Sequence, residues 1–212
     1  MKRWGLPQAL NWAGTLVICV AVLSAAACGV STASHTAPRP TPSPPVLPTP
    51  TPTAVPMTIV LTSPAFQAGT SIPSQYTCEG ANVSPPLAWS GAPQQTVTFV
   101  LLMEDVTGAT FTHWVLFNLP AATRALPANI PPGGQLTSGA RQGTNDAHVV
   151  GYYGPCPALP RGKTDDYLFT LYALDVDLPL VAGVREQQVL DAARGHILAQ
   201  GQLDGTYKLQ NT

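Results

Sequence analysis

Apolar residues gather in several short runs, and their lengths suit strands better than long helices. Residues 58–61 (TIVL) read as a short strand, and residues 97–103 (VTFVLLM) are apolar almost throughout, the pattern of a central strand covered on both faces. Residues 113–119 (HWVLFNL), closed by Pro120, predict a third strand. Residues 167–176 (YLFTLYALDV) alternate large and small apolar side chains and predict the longest one. A short last strand over 206–209 is expected after the turn signal Asp204-Gly205. Proline and glycine punctuate the intervals at Ser84-Pro85-Pro86, Pro131-Pro132-Gly133-Gly134 and Gly154-Pro155-Cys156-Pro157. One helix is predicted over about 185–200, where Val189, Leu190, Ala192, Ala193 and Ile197 mark an apolar face and Gly195 and His196 weaken the middle. Short strands, proline-rich loops and few helical periods predict a mainly β chain, an antiparallel β-sandwich with one or two peripheral helices.

The first quarter of the sequence has a different character. Lys2 and Arg3 precede an uncharged, mostly apolar run from residue 12 to residue 27, of signal-peptide rather than membrane-spanning length. Ala25-Ala26-Ala27-Cys28 resembles a lipobox, so residues 1–27 are expected to be a lipoprotein-type signal peptide and Cys28 the lipidated residue. Leu23 stands five positions before the cysteine instead of the usual three, which keeps simple secretion with a free Cys28 as the competing expectation. Residues 31–56 contain nine prolines and one formal charge, Arg39. Residues 28–56 are therefore expected to form a semi-extended tether, since proline fixes φ and removes backbone donors. Export and anchoring to the outer side of the cell membrane are the corresponding expectations. Residues 57–212 suit one domain with a real core.

Charge narrows the function classes. The 212 residues carry a net charge of −1, so no basic field argues for nucleic acid. Neither a His-x-x-x-His nor a Cys-x-x-Cys pair suggests a metal, and no Gly-x-Ser-x-Gly elbow suggests a hydrolase. Asp105 and His113 flank a turn between two apolar runs, where polar side chains can converge at the mouth of a sheet. Tyr152, Tyr153 and Tyr167 could add hydroxyl groups near the Gly-Pro-Cys-Pro loop. Cys78 and Cys156 invite a disulfide in an exported domain, although each also sits in a motif that could place it for another reason.

Five stretches, in order, carry a family resemblance. They are Tyr76-Thr77-Cys78-Glu79-Gly80 with Ser84-Pro85-Pro86-Leu87 and Trp89; His113-Trp114-Val115-Leu116-Phe117-Asn118-Leu119-Pro120; Gly151-Tyr152-Tyr153-Gly154-Pro155-Cys156-Pro157; Tyr167 with Leu171-Tyr172-Ala173-Leu174-Asp175; and Gly195-His196-Ile197-Leu198-Ala199 with Leu203-Asp204-Gly205-Thr206-Tyr207. Together they resemble the bacterial Raf-kinase-inhibitor-like branch of the phosphatidylethanolamine-binding protein family. The resemblance implies a β-sandwich, no catalysis and no cofactor. It also implies a small cavity for an anion or a phospholipid head group, formed by Asp105, His113, Gly154, Pro155, Pro157 and Tyr167. A protein partner and a homodimer are further expectations of the family, and a protein-interaction module with a vestigial pocket is the alternative reading.

Two positions depart from the family pattern. Met103 stands where the family places its first pocket aspartate, and Asp165 where it places a histidine. The second change removes a donor and adds negative charge, which disfavours an anion beside Asp105. Asp165 and Asp166 themselves are expected to form an exposed acidic turn rather than a pocket pair.

Overall fold

The computed structural model describes Pro56, residues 58–157 and residues 162–210. The expected signal peptide, Cys28 and the tether as far as residue 55 lie outside these residues. All described residues belong to one unit.

Among the described residues, eight strands and one α-helix follow in chain order: β1 Val60–Thr62, β2 Leu87–Ser90, β3 Thr98–Asp105, β4 Phe111–Pro120, β5 Ala125–Leu126, β6 Arg141–Gln142, β7 Thr164–Leu174, α1 Glu186–Ala193 and β8 Ile197–Lys208, with a single 3-10 turn at Ser74–Tyr76. They build two antiparallel sheets, one ordered β1-β2-β5 and the other β6-β4-β3-β7-β8. β3 lies at the centre of the larger sheet and is covered on both sides, as its continuous apolar run requires. Phe99, Leu101 and Met103 point inward into the main core with Leu61, Trp89, Trp114 and Phe169. Val100 and Leu102 point outward, where Val115, Phe117, Leu178 and the apolar stripe Val189 and Ala193 of α1 cover them.

Two sequence expectations change. The predicted helix over 185–200 is an eight-residue helix followed by a strand. Gln188 Oε1 accepts from the Arg185 main-chain N–H at 3.1 Å, and Gly195 at φ +84° turns the chain back toward the sheet. Ile197 and Ala199 then pair with Leu174 and Ala173 of β7. Asp204-Gly205 is not a turn but the middle of β8. Gly205 lies opposite Tyr167, and an added Cβ there would fall 2.8 Å from Ile72 Cγ1 and 3.0 Å from Phe66 Cε2. This glycine serves close packing.

Candidate functional site

One end of the larger sheet opens into a recess of about 530 Å³, lined by Asp105, Thr107, Ala109, Phe111, His113, Tyr153, Cys156, Lys163 and Asp165. The strands explain why these side chains meet. Asp105 ends β3 and lies opposite Phe111 of β4 and Tyr167 of β7. Asp165 precedes Tyr167 by two residues on the same strand and therefore shares its face. It is a buried strand residue, not part of an exposed turn; the following Asp166 is the exposed one.

His113 reaches the recess through a β-bulge. Met103 pairs with Trp114 and Glu104 with Thr112, which leaves His113 as an extra residue without a partner on β3. Such an insertion re-aims a side chain at the end of a strand. Trp114 fills the main core, while the His113 ring packs beside Phe111 at 4.9 Å, parallel to Tyr153 at 5.7 Å and edge-on to Tyr167 at 5.2 Å.

The imidazole is locked. Its Nδ1 lies 2.8 Å from the Tyr153 carbonyl, which can only accept, so Nδ1 carries the proton and donates. Burial lowers the pKa of His113, partly offset by the Tyr153 carbonyl and the charge of Asp105. The neutral tautomer therefore leaves Nε2 as a hydrogen-bond acceptor. Asp105 Oδ1 is engaged by the Thr107 main-chain N–H at 2.7 Å, and Thr107 Oγ1 accepts from Asp166 N at 2.6 Å. Burial and then the neighbouring Asp105 raise the pKa of Asp165, with Lys163 acting in the opposite sense.

The Gly-Pro-Cys-Pro loop supports this wall. Tyr152 Oη donates to the Tyr76 carbonyl at 2.7 Å, Gly154 N to Asn82 Oδ1 at 2.8 Å, and Cys78 N to the Pro155 carbonyl at 3.1 Å. A disulfide joins Cys78 to Cys156. Gly154 fits because a Cβ there would sit 2.3 Å from the Tyr76 carbonyl oxygen. The structure thus separates the residues expected at the pocket. Asp105 and His113 line the recess. Gly154, Pro155 and Pro157 stand behind it, with Cys156 as the loop's lining residue. Tyr167 is fully buried beneath, its hydroxyl without a well-formed hydrogen bond and its pKa pushed up by burial and by Asp105. Met103 is wholly inside the main core rather than at the recess. Tyr153, expected near the Gly-Pro-Cys-Pro loop, lines the recess, and Thr107, Ala109, Phe111 and Lys163, which the sequence did not single out for it, complete the lining. Phe111 carried one readable signal, since it precedes His113 by two positions.

The opposite face of the same sheet end carries another carboxyl group. Glu104 points outward, and burial, then the charge and hydrogen bond of Glu186, push its pKa to about 7. Thr112 Oγ1 donates to Glu186 at the first turn of α1, and Arg185 pairs with Asp146 at 3.3 Å.

The sequence profile described as "Phosphatidylethanolamine-binding protein" matches residues 62–208. A "UPF0098 protein" of Methanothermobacter thermautotrophicus is 43% identical over 150 residues, covering 70% of this chain and 97% of the relative. One from Aquifex aeolicus is 42% identical, covering 69% and 86%. Among solved structures, the phosphatidylethanolamine-binding protein homologue CT736 of Chlamydia trachomatis superposes with a TM-score of 0.63 at 37% identity, over 72% of this chain and 98% of that one. Escherichia coli YbcL, described as a member of the mammalian family, gives a TM-score of 0.64 at 29% identity, over 72% and 99%.

Proposed function

We propose a binding rather than a catalytic role for this chain, which belongs to the phosphatidylethanolamine-binding protein family. The ligand enters the Asp105–His113 recess and is a small molecule of head-group size. The observation that carries this reading is the recess itself, whose about 530 Å³ falls within the usual range for small-molecule sites. A catalytic reading finds less support there. Nδ1 of His113 is committed to a carbonyl instead of a carboxylate, and the cysteine of the lining is held in a disulfide. The protein acts outside the cytoplasm on a lipid tether, a reading supported by the apolar leader, Cys28 and the proline-rich stretch after it.

Two experiments test these statements. Thermal shift against a panel of ethanolammonium, phosphate and glycerophosphate should identify a stabilising probe, and His113→Ala should remove that stabilisation in a protein that still melts cooperatively. A probe that stabilises His113→Ala equally would place the ligand elsewhere, and a chain that captures a protein partner but no probe would favour an interaction module. Replacing Cys28 with Ser should move the protein from the membrane to the soluble fraction; unchanged fractionation would remove the lipid anchor from the reading.

A further inference from the structure

We propose that this chain carries a second ligand site, at the end of the larger sheet away from the recess. It takes a free fatty acid, with the carboxylate on Arg141 and the acyl chain in an adjoining apolar pocket. The site does not depend on the recess. Thr98 and Pro120 pair where β3 begins and β4 ends, whereas Asp105 and Phe111 pair at the recess. The length of β3, about 23 Å at about 3.3 Å per residue, separates the two levels.

Two cavities meet at that end. The apolar one, about 380 Å³, lies beside β5 and the loop that follows it. Leu119, Leu126, Ile130, Leu136, Pro131 and Pro132 are among its walls, and none of the described residues that line it is charged. The other is a cleft of about 550 Å³ that includes Asn118, Pro120, Arg141, Asp177 and Leu178. Ser138 borders both. Alternation along β4 explains the division: Leu119 faces one space, and its neighbours Asn118 and Pro120 face the other. A molecule with a polar head and an apolar tail fits the pair by passing Ser138.

The fold holds both spaces in place. Gln142 is wholly buried. Its amide donates to the Pro131 carbonyl at 2.9 Å and the Gly133 carbonyl at 2.7 Å, and its oxygen accepts from Trp114 Nε1 at 2.8 Å. Ser84 Oγ accepts from Ile130 N at 2.9 Å, so the loop after β5 is fixed from two sides. Across the cleft, the Asn118 side chain brackets Leu178, donating to its carbonyl and accepting from its N–H, each at 2.9 Å. A preformed space costs a ligand little ordering. The head group follows from Arg141. One guanidinium N–H donates to the Leu180 carbonyl at 2.8 Å, and no carboxylate pairs with Arg141 among the described residues. A planar guanidinium anchored on one side keeps further N–H groups in the fork geometry that a carboxylate accepts. Asp177 also lines the cleft, but it is exposed, so solvent and salt screen its charge.

Isothermal titration calorimetry of the intact protein with sodium hexanoate, octanoate and decanoate, below their micelle-forming concentrations, tests the proposal. Affinity should rise about fourfold per added methylene, the fold-change for burying one such group, and level off once the pocket is full. Octanol, which lacks the charge, should bind at least tenfold more weakly than octanoate. Arg141→Gln should erase that difference, Arg141→Lys should keep part of it, and Asp177→Asn should tighten octanoate. Ala125→Trp, a large ring at an exposed position of the apolar wall, should weaken octanoate at least tenfold. His113→Ala should change none of these values. Melting curves establish that the variants are folded, and the chain-length and alcohol comparisons on unaltered protein stand even if one is not. Octanol binding as tightly as octanoate would overturn the fatty acid as the ligand. Loss of octanoate binding in His113→Ala would move the acid to the recess, overturning the second site and leaving the recess reading in place. Binding of none of the acids, or binding untouched by both Arg141→Gln and Ala125→Trp, would overturn the proposal outright.

Discussion

Glu104 and Asp105 are neighbours at the end of β3, yet the two faces of the sheet treat their carboxyl groups in opposite ways. On the outer face Glu104 meets Glu186, and the repulsion is relieved locally because one carboxyl keeps its proton up to a pH of about 7 and hydrogen-bonds the other. Thr112 adds its hydroxyl to Glu186, and α1 closes over the neighbouring apolar side chains. On the inner face Asp105 and Asp165 border an open recess, without such a bond between them. Two acidic pairs a residue apart therefore differ in what completes them. The outer one is completed by the protein, whereas the inner one faces a space that a ligand can fill.

The largest way to disturb this contrast is to cut the staple behind the inner site. Converting both Cys78 and Cys156 to Ser should cost about 2–5 kcal/mol in chemical denaturation. The His113 ring resonances should shift with the freed loop, while Glu104 keeps its titration near pH 7. A coincident change at Glu104 would show that the two faces are not independent. Gly154→Ala acts at the same wall with a smaller expected loss, about 1–3 kcal/mol, because the new methyl group would press on the Tyr76 carbonyl.

The smallest effect belongs to the outer face. A carboxyl whose folded pKa is raised holds a proton that the unfolded chain has already released. Stability therefore falls as pH rises from about 4.5 to about 7. Glu104→Gln should flatten that decline and stabilise the protein at pH 8 by about 1 kcal/mol, a figure reduced for solvent screening, with little effect near pH 4. An unchanged pH profile would mean that the outer pair does not share a proton.

Much of this arrangement can be read from the chain, and the exceptions have physical causes. The central strands β3, β4 and β7 announce themselves because burial on both faces, or strict alternation, leaves a strong hydrophobic signal. The end of α1 does not. Ile197, Leu198 and Ala199 fit either a helical or an extended period, and only the left-handed Gly195 and the pairing with β7 decide between them. Gly205 misleads for a related reason: glycine after aspartate suggests a turn, whereas here it makes room for Ile72 and Phe66 from a distant segment. At the site, Asp105 and His113 stand out through family resemblance. Asp165 is legible in hindsight, since Asp165, Tyr167, Phe169 and Leu171 alternate along one strand and the last three are core residues. The Glu104–Glu186 pair is not legible, because no local pattern brings α1 to that point of the sheet.

The extra residue at His113 has a consequence for how this end of the sandwich can vary. A bulge acts as a phase shift: the two-residue alternation on the core side of β4 and that on the recess side are offset by one position. Length changes in the loop between β3 and β4 can alter Thr107 or Ala109 without turning Trp114 or Leu116 out of the core. Deleting His113 itself would bring the two phases together and remove the only β4 ring that touches both Tyr153 and Tyr167.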